Sequence, residues 1–300
     1  MSVSDTLLPI DVSSDPGTEG VITLTLVQGD GGGRPVVVLD SDLLRAIDAT
    51  LDVILRDHAD TMTGLVLASG APRSFVAGAN LKEIMDLDDA GLFDYLRFGA
   101  RVFNRLATMP VTTVAAINHA ALGGGLELAM HCDVLIGAQP DPEKPYPVGL
   151  PEAGLGICPG WGGTNLLPAR MDPKDAIVRT ATGRPLKAGE AHEAGLLSEL
   201  VEADALLDRA RARSTTPKDA PRQTPITITD TPQTRRALDE ARAELADKDP
   251  ERAVLRCVER GLDHDWEDAI ELEREELVRL RSTEQGRTAI EAFFARSAKK

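Results

Sequence analysis

Cysteine is scarce in this sequence, three in 300 residues (Cys132, Cys158, Cys257), and none sits in a CxxC pair or at a His/Cys ligand spacing. A disulfide framework and a zinc site are therefore not expected, and no metal is assigned. Positive charge is also in short supply, with 33 Lys and Arg against 48 Asp and Glu, a net charge of -15. Nucleic acid and anionic membranes both call for a basic stripe, so neither is expected as a partner. No run approaches the roughly 18 apolar residues of a membrane span. The opening "MSVSDTLLPIDVSSDPGTEG" lacks the basic start and apolar run of a secretory signal, which makes a cytoplasmic location the expectation. There is no internal repeat.

What is present is an ordinary globular composition, 42% hydrophobic and 27% charged, long enough for one large domain or one domain with an appendage. "VITLTLV" (21–27) and "PVVVLD" (35–40) read as strands, and "SDLLRAIDATLDVILRDHAD" (41–60) as a helix with a Ser N-cap. Strands at 63–69, 110–118 and 132–138 then alternate with helical segments. That alternation favours a parallel α/β arrangement. "QPDPEKPYP" (139–147) reads as an irregular surface excursion because of its four prolines, and 148–167 as packed loop with a helix beginning near Thr164. Composition divides the chain into a polar lead-in (1–19), a core (20–213), a linker (214–231) and a helical C-terminal region (232–300). The segment "DWEDAIELEREELVRLR" there carries Ile270, Leu272, Leu277 and Leu280 near helical spacing, either as a packing stripe on a solvated helix or as a subunit contact.

Two glycine clusters compete for a phosphate-binding role. "GDGGGRP" (29–35) lies between strands rather than ahead of a helix, so a plain turn is expected. "HAALGGGLELAM" (119–130) follows a strand and opens a helix, but it has neither a P-loop lysine nor GxGxxG spacing, and Glu127 would repel a phosphate. The same features suit a developing oxyanion. Free N–H groups at a helix N-terminus stabilise an enolate-like oxygen, and glycine lets an acyl group approach the backbone. A carboxylate one turn on then faces the reacting carbons as acid or base. "FVAGAN" (75–80) also joins a strand to a helix and can supply a second N–H. Glu152, in the apolar "GLPEAGLG" (149–156), either caps the following segment or works beside Glu127.

These stretches, in order, carry a resemblance to the crotonase superfamily, the enoyl-CoA hydratase/isomerase family. "SFVAGANLKEI" looks like its first oxyanion and CoA-binding motif, and "AAINHAALGGGLELAMHCDVLIGA" like its second. "GLPEAGLGICPGWGGTNLLPARM" resembles the segment with the second acid, and "TGRPLKAGEAHEAGLLSELV" the stretch closing the core. Residues 20–203 are covered, most like the hydratase portion of multifunctional β-oxidation α subunits. The resemblance implies an α/β fold, a β-β-α spiral core with a C-terminal helical region that builds trimers or hexamers.

Carried over, the N–H groups of Ala77 and Gly124 match the oxyanion donors, and Glu127 and Glu152 the two acids of hydratases. Ala77, Gly78, Ala79, Asn80, Gly123 and Gly124 match substrate-binding positions. The implied activity is hydration of a trans-2-enoyl-CoA in fatty-acid oxidation, with the CoA thioester as substrate and no separate cofactor. A separate 3-hydroxyacyl-CoA dehydrogenase is a candidate partner, since no GxGxxG follows and no NAD chemistry is expected in this chain. The sequence departs from the family at Asn80, usually Asp, at His119, usually Gly, and at Trp161, usually a small residue. Trp161 either lines and shortens an acyl pocket or packs in the core. An isomerase, which needs one acid, is the nearest rival, followed by hydrolase and decarboxylase relatives. A scaffold or RNA-binding role lacks the lysine-rich helix it would use.

Overall fold

The computed structural model describes residues 7–27, 36–218, 220 and 222–297. The glycine turn "GDGGGRP" lies outside the described residues. β1 (Ile10–Val12) runs antiparallel to β2 (Val21–Leu26), and α1 (Ser41–His58) leads to β3 (Gly64–Ser69). Next come β4 (Ser74–Val76), α2 (Leu81–Asp86), α3 (Asp89–Ala107), β5 (Thr113–Ile117), β6 (Ala120–Leu122) and α4 (Gly124–Met130). β7 (Val134–Ala138) and β8 (Pro147–Gly149) precede a 3₁₀ turn (Glu152–Leu155), α5 (Gly163–Leu166) and α6 (Pro173–Thr182). β9 (Leu186–Lys187), α7 (Ala188–Glu193), β10 (Glu199–Val201) and α8 (Leu206–Ser214) close the core. The C-terminal region is α9 (Pro232–Glu244), α10 (Asp249–Asp263), α11 (Trp266–Arg281) and α12 (Glu284–Ser297).

The strands sort into two sheets, ordered β1-β2-β3-β5-β7-β10 and β4-β6-β8-β9. Each pass from β3 to β4 and from β5 to β6 drops from the larger sheet to the smaller and then enters a helix. This is a β-β-α spiral, and it brings the "FVAGAN" and "LGGGLE" turns side by side, because β4 pairs with β6 in parallel. β5 is buried throughout, as a continuous apolar run in a parallel sheet requires.

Several elements differ from the sequence reading. The helix expected from Ser41 is capped one residue earlier, by Asp40, whose Oδ1 accepts from Leu43 N–H at 2.8 Å. Ser41 instead ties α1 to α2, donating its N–H to Glu83 at 3.0 Å. The "PVVVLD" strand reduces to an isolated bridge, Leu39 to Ala79, with residues 36–38 irregular and Pro35 outside the described residues. The proline-rich excursion ends in regular structure, because Pro147 opens β8 and Tyr146 is buried with its hydroxyl on Ala138 O at 2.6 Å. Proline at the first position of a short strand gives up no essential donor.

The described residues of the stretch 214–231 have little regular structure yet are tied to the core. Lys218 reaches Asp133 at 3.0 Å, Arg222 pairs with the same carboxylate, and Ile228 N–H donates to Asn165 O. Among the described residues no helix is long and apolar enough to cross a membrane.

Candidate active site

At the end of β6 the chain turns through Gly123, with φ 53° and ψ -129°. A side chain there would be strained and would also collide with Glu152, whose Oε1 lies 2.5 Å from the place a Cβ would take. Gly123 N–H is used by Gly149 O at 2.9 Å, and Gly123 O receives the N–H groups of Leu126 and Glu127. α4 therefore starts without a side-chain cap, and among the described residues Gly124 N–H has no hydrogen-bond acceptor. Every residue of α4 is buried, so this uncapped N-terminus is enclosed in protein. An enclosed, uncommitted N–H is a strong donor for a ligand oxygen.

The neighbouring turn is pinned from its other side. Leu39 N–H donates to Gly78 O, and Asn80 N–H donates to Leu39 O. In a parallel ladder that pattern directs the Ala79 N–H away from Leu39, toward the side where β6 lies. Among the described residues Ala79 N–H has no acceptor, whereas Ala77 N–H is taken by Val37 O at 2.8 Å. Tyr95 fixes the bridge by donating its hydroxyl to Leu39 O at 2.7 Å. Asn80 turns its amide oxygen onto the N–H groups of Lys82 and Glu83 and so caps α2.

Both sequence-nominated acids face the space between these turns. Glu127 is buried, and its Oε1 accepts from Trp161 N–H and Gly163 N–H, each at 2.8 Å. Burial raises its pKa well above the ordinary carboxylate range, helped by the charges of Glu273 and Glu152 and opposed by those two amides. Glu152 opens the 3₁₀ turn and leaves Oε2 buried with no partner among the described residues. Burial pushes it up to about 8, and Glu273 adds to the rise.

A cavity of about 280 Å³ is lined by Ala79, Gly124, Glu127, Glu152, Trp161 and Phe293 together with further apolar side chains. Two free N–H groups, two acids of raised pKa and an apolar wall can together polarise a carbonyl and move protons on the carbons beside it.

A family model described as enoyl-CoA hydratase/isomerase matches residues 40–254. The chain belongs to that family. It is 42% identical over 197 residues to a Mycobacterium bovis protein named "Probable enoyl-CoA hydratase echA8", covering 66% of this chain and 70% of that one. It is 36% identical over 193 residues to the fatty acid oxidation complex subunit alpha of Idiomarina loihiensis, covering 64% of this chain and only 26% of that subunit. The human mitochondrial delta3-delta2-enoyl-CoA isomerase superposes with a TM-score of 0.67 at 21% identity, over 97% of this chain and 98% of that one. That likeness establishes the crotonase fold of this enoyl-CoA hydratase/isomerase family member.

Of the nominated residues, Gly78, Ala79, Gly123, Gly124, Glu127, Glu152 and Trp161 all border the cavity. Ala77 borders it too, but its N–H is spent on Val37, so the free donor of that turn is Ala79. Asn80 is absent from the cavity wall and serves as a helix cap. Trp161 does both things the sequence left open: it borders the cavity and is core, 1% exposed, with its indole N–H on Leu96 O at 2.9 Å. Gly99 of α3 makes room for it, since a Cβ there would meet the indole nitrogen at 2.5 Å. His119 stacks on Tyr146 at 5.1 Å and stays outside the cavity wall.

A buried acid that accepts from the same loop as Glu127 escaped the sequence reading. Glu273 of α11 is fully buried and accepts from Gly162 N–H at 2.5 Å, from Thr164 N–H at 3.0 Å and from the Thr164 hydroxyl. The buried stripe of α11 runs Trp266, Ile270, Glu273, Leu277, Leu280, while Leu272 is half-buried. An acid at a stripe position was the available signal, and the misassigned phase hid it.

Proposed function

We propose that this chain is a 2-enoyl-CoA hydratase, adding water across a trans-2-enoyl-CoA to give the 3-hydroxyacyl-CoA. The observation that carries this reading is the pair of buried acids, Glu127 and Glu152, beside the two uncommitted N–H groups of Ala79 and Gly124. The thioester oxygen would accept from both N–H groups, which bind it more tightly as it becomes enolate-like; one such donor is worth roughly 3 to 4 kcal/mol of barrier. Ala79 takes the place of Ala77 as donor in this reading, because only its N–H is available.

Glu127, oriented by two backbone amides, accepts a proton from water as the hydroxyl oxygen bonds to C3. Glu152, protonated below about pH 8, gives its proton to C2. Return of the proton from Glu127 to Glu152, directly or through solvent, resets the pair. An isomerase moves one proton with one acid; a second acid at the same cavity supports hydration.

The rigid indole of Trp161 against Gly124 supports a preference for short acyl chains. The fatty acid oxidation relative supports a role in that process, with a dehydrogenase consuming the 3-hydroxyacyl product. A homotrimer or hexamer is part of the same proposal, as is a cytosolic setting, where three buried free cysteines stay reduced.

Crotonyl-CoA given to the purified protein near neutral pH should lose its conjugated absorbance. No turnover of short, medium or long trans-2-enoyl-CoA substrates would overturn the reading, and double-bond migration without hydration would assign an isomerase.

A further inference from the structure

The loop from Trp161 to Thr164 carries four successive N–H groups, and two buried carboxylates share them in alternation. Trp161 and Gly163 donate to Glu127 from one side, while Gly162 and Thr164 donate to Glu273 from the other. The chain bends sharply here, with Gly162 in the left-handed region at φ 100° and Gly163 opening α5, and a carboxylate on each side of the bend clamps it in place. Glu273 comes from α11, a helix that also contributes Leu277 to the cavity wall. The same helix sends Arg281 onto the carbonyls of Ile84 and Leu87 at the end of α2. α11 thus grips both sides of the cavity, and Glu273 is its contact with the catalytic side.

We propose that Glu273 is a positioning residue for Glu127: by fixing the Trp161–Thr164 amides from behind, it sets where the Glu127 carboxylate sits and which of its oxygens stays free for the reacting proton. This rests on the hydratase reading for the role of Glu127, but the clamp itself does not depend on the reaction. Burial raises the pKa of Glu273, and the three hydrogen bonds that it accepts offset part of that cost. Its charge also acts on both catalytic acids, raising the pKa of each. The groups around this trio are Tyr95 from α3, Cys158 from the loop, Cys257 from α10, and Arg274 and Glu276 from α11 itself. Cys158 and Cys257 are thiols with raised pKa, and so are neutral at working pH.

The test uses the full chain with Glu273→Gln and Glu273→Asp. Glutamine keeps the size but removes the charge and turns an N–H₂ donor toward an amide that already donates. For Glu273→Gln, kcat for crotonyl-CoA should fall by about tenfold or more with KM within about twofold. The alkaline limb of the pH profile should move to lower pH, because a negative charge beside Glu152 has gone. Glu273→Asp keeps the charge with a shorter reach, so kcat should be intermediate and the alkaline limb unmoved.

Titration of ¹³C-labelled glutamate carboxyls by NMR, without substrate, should show the Glu127 and Glu152 midpoints lowered in Glu273→Gln. Those two signals are assigned from the corresponding glutamine variants. A folded Glu273→Gln with wild-type kcat and unmoved midpoints overturns the proposal, as does a Glu273→Asp of unaltered kcat should Glu273→Gln fail to fold. If the wild type hydrates no enoyl-CoA, the hydratase reading fails while the titration still judges the clamp.

Discussion

The two glycine turns that border the cavity are built alike in sequence and oppositely in structure. Each follows a short strand of the same small sheet and opens a helix. The turn before α4 has no cap, leads into a helix buried throughout, and carries both acids against it, Glu127 one turn on and Glu152 against Gly123. The turn before α2 is capped by Asn80, half-exposed, and held from outside by Leu39, by Tyr95 and, through α2, by Arg281. A helix start left uncapped inside protein keeps its N–H groups for a ligand, whereas one near solvent satisfies its own and contributes a single backbone group. In the proposed reading the chemistry sits on the α4 side, and the α2 side supplies a positioned amide.

The acids give the largest expected effect. Glu127→Gln and Glu152→Gln should each lower kcat by about 10³-fold or more while the protein stays folded, read by crotonyl-CoA hydration. Next in size is a backbone test of which N–H on the α2 side matters. Replacing Ala79 by lactic acid, which exchanges its N–H for oxygen, should cost about 10²-fold or more in kcat. The same exchange at Ala77 should cost only its bond to Val37, about 1 kcal/mol of stability, with kcat little changed. The reverse result would restore Ala77 as the donor.

Trp161→Leu removes the indole packed on Gly124 and should raise the ratio of kcat/KM for medium-chain over short-chain enoyl-CoA by about tenfold. An unchanged ratio would leave the indole as core alone.

A smaller effect follows from the raised pKa of Glu152. The folded state holds that proton up to about 8, while the unfolded chain releases it near 4.5. Between those values the folded state binds more protons, so this group makes stability fall as pH rises, and the loss is complete above about 8. Glu152→Gln should therefore gain on wild type in Tm by several degrees, on the order of 5 °C, as pH goes from 4.5 to 8. A gain that does not grow with pH would contradict the assignment. The smallest effect belongs to the α2 side: Asn80→Ala should cost about 1 kcal/mol of stability through loss of the cap, with kcat near wild type, and Asn80→Asp should be close to neutral.

Much of this was readable in the chain. The strand-glycine-helix pattern located both turns, and the acid beside the glycines in "LGGGLE" pointed away from phosphate. Elements of two or three residues, such as β6 and β8, were missed because no period can be counted over so short a run. The cap of α1 was placed one residue late because Asp40 and Ser41 are both good cap residues and only backbone geometry separates them. Glu273 is not distinguished in the sequence from the other acids of its segment, since a charged helix shows its buried stripe only once its packing partners are known.

The sequence by itself determined the order of the motifs, the two acids and the glycine clearance around them, because these are local: each residue type is demanded by its neighbours in the chain. Tertiary structure decided which amides stay free and where the carboxylates are held. Val37 silences Ala77 from an irregular segment upstream in the chain, and Glu273 reaches Gly162 across 111 residues of chain. Hydrogen-bond donors are allotted by proximity in space, and proximity exists only after the spiral closes.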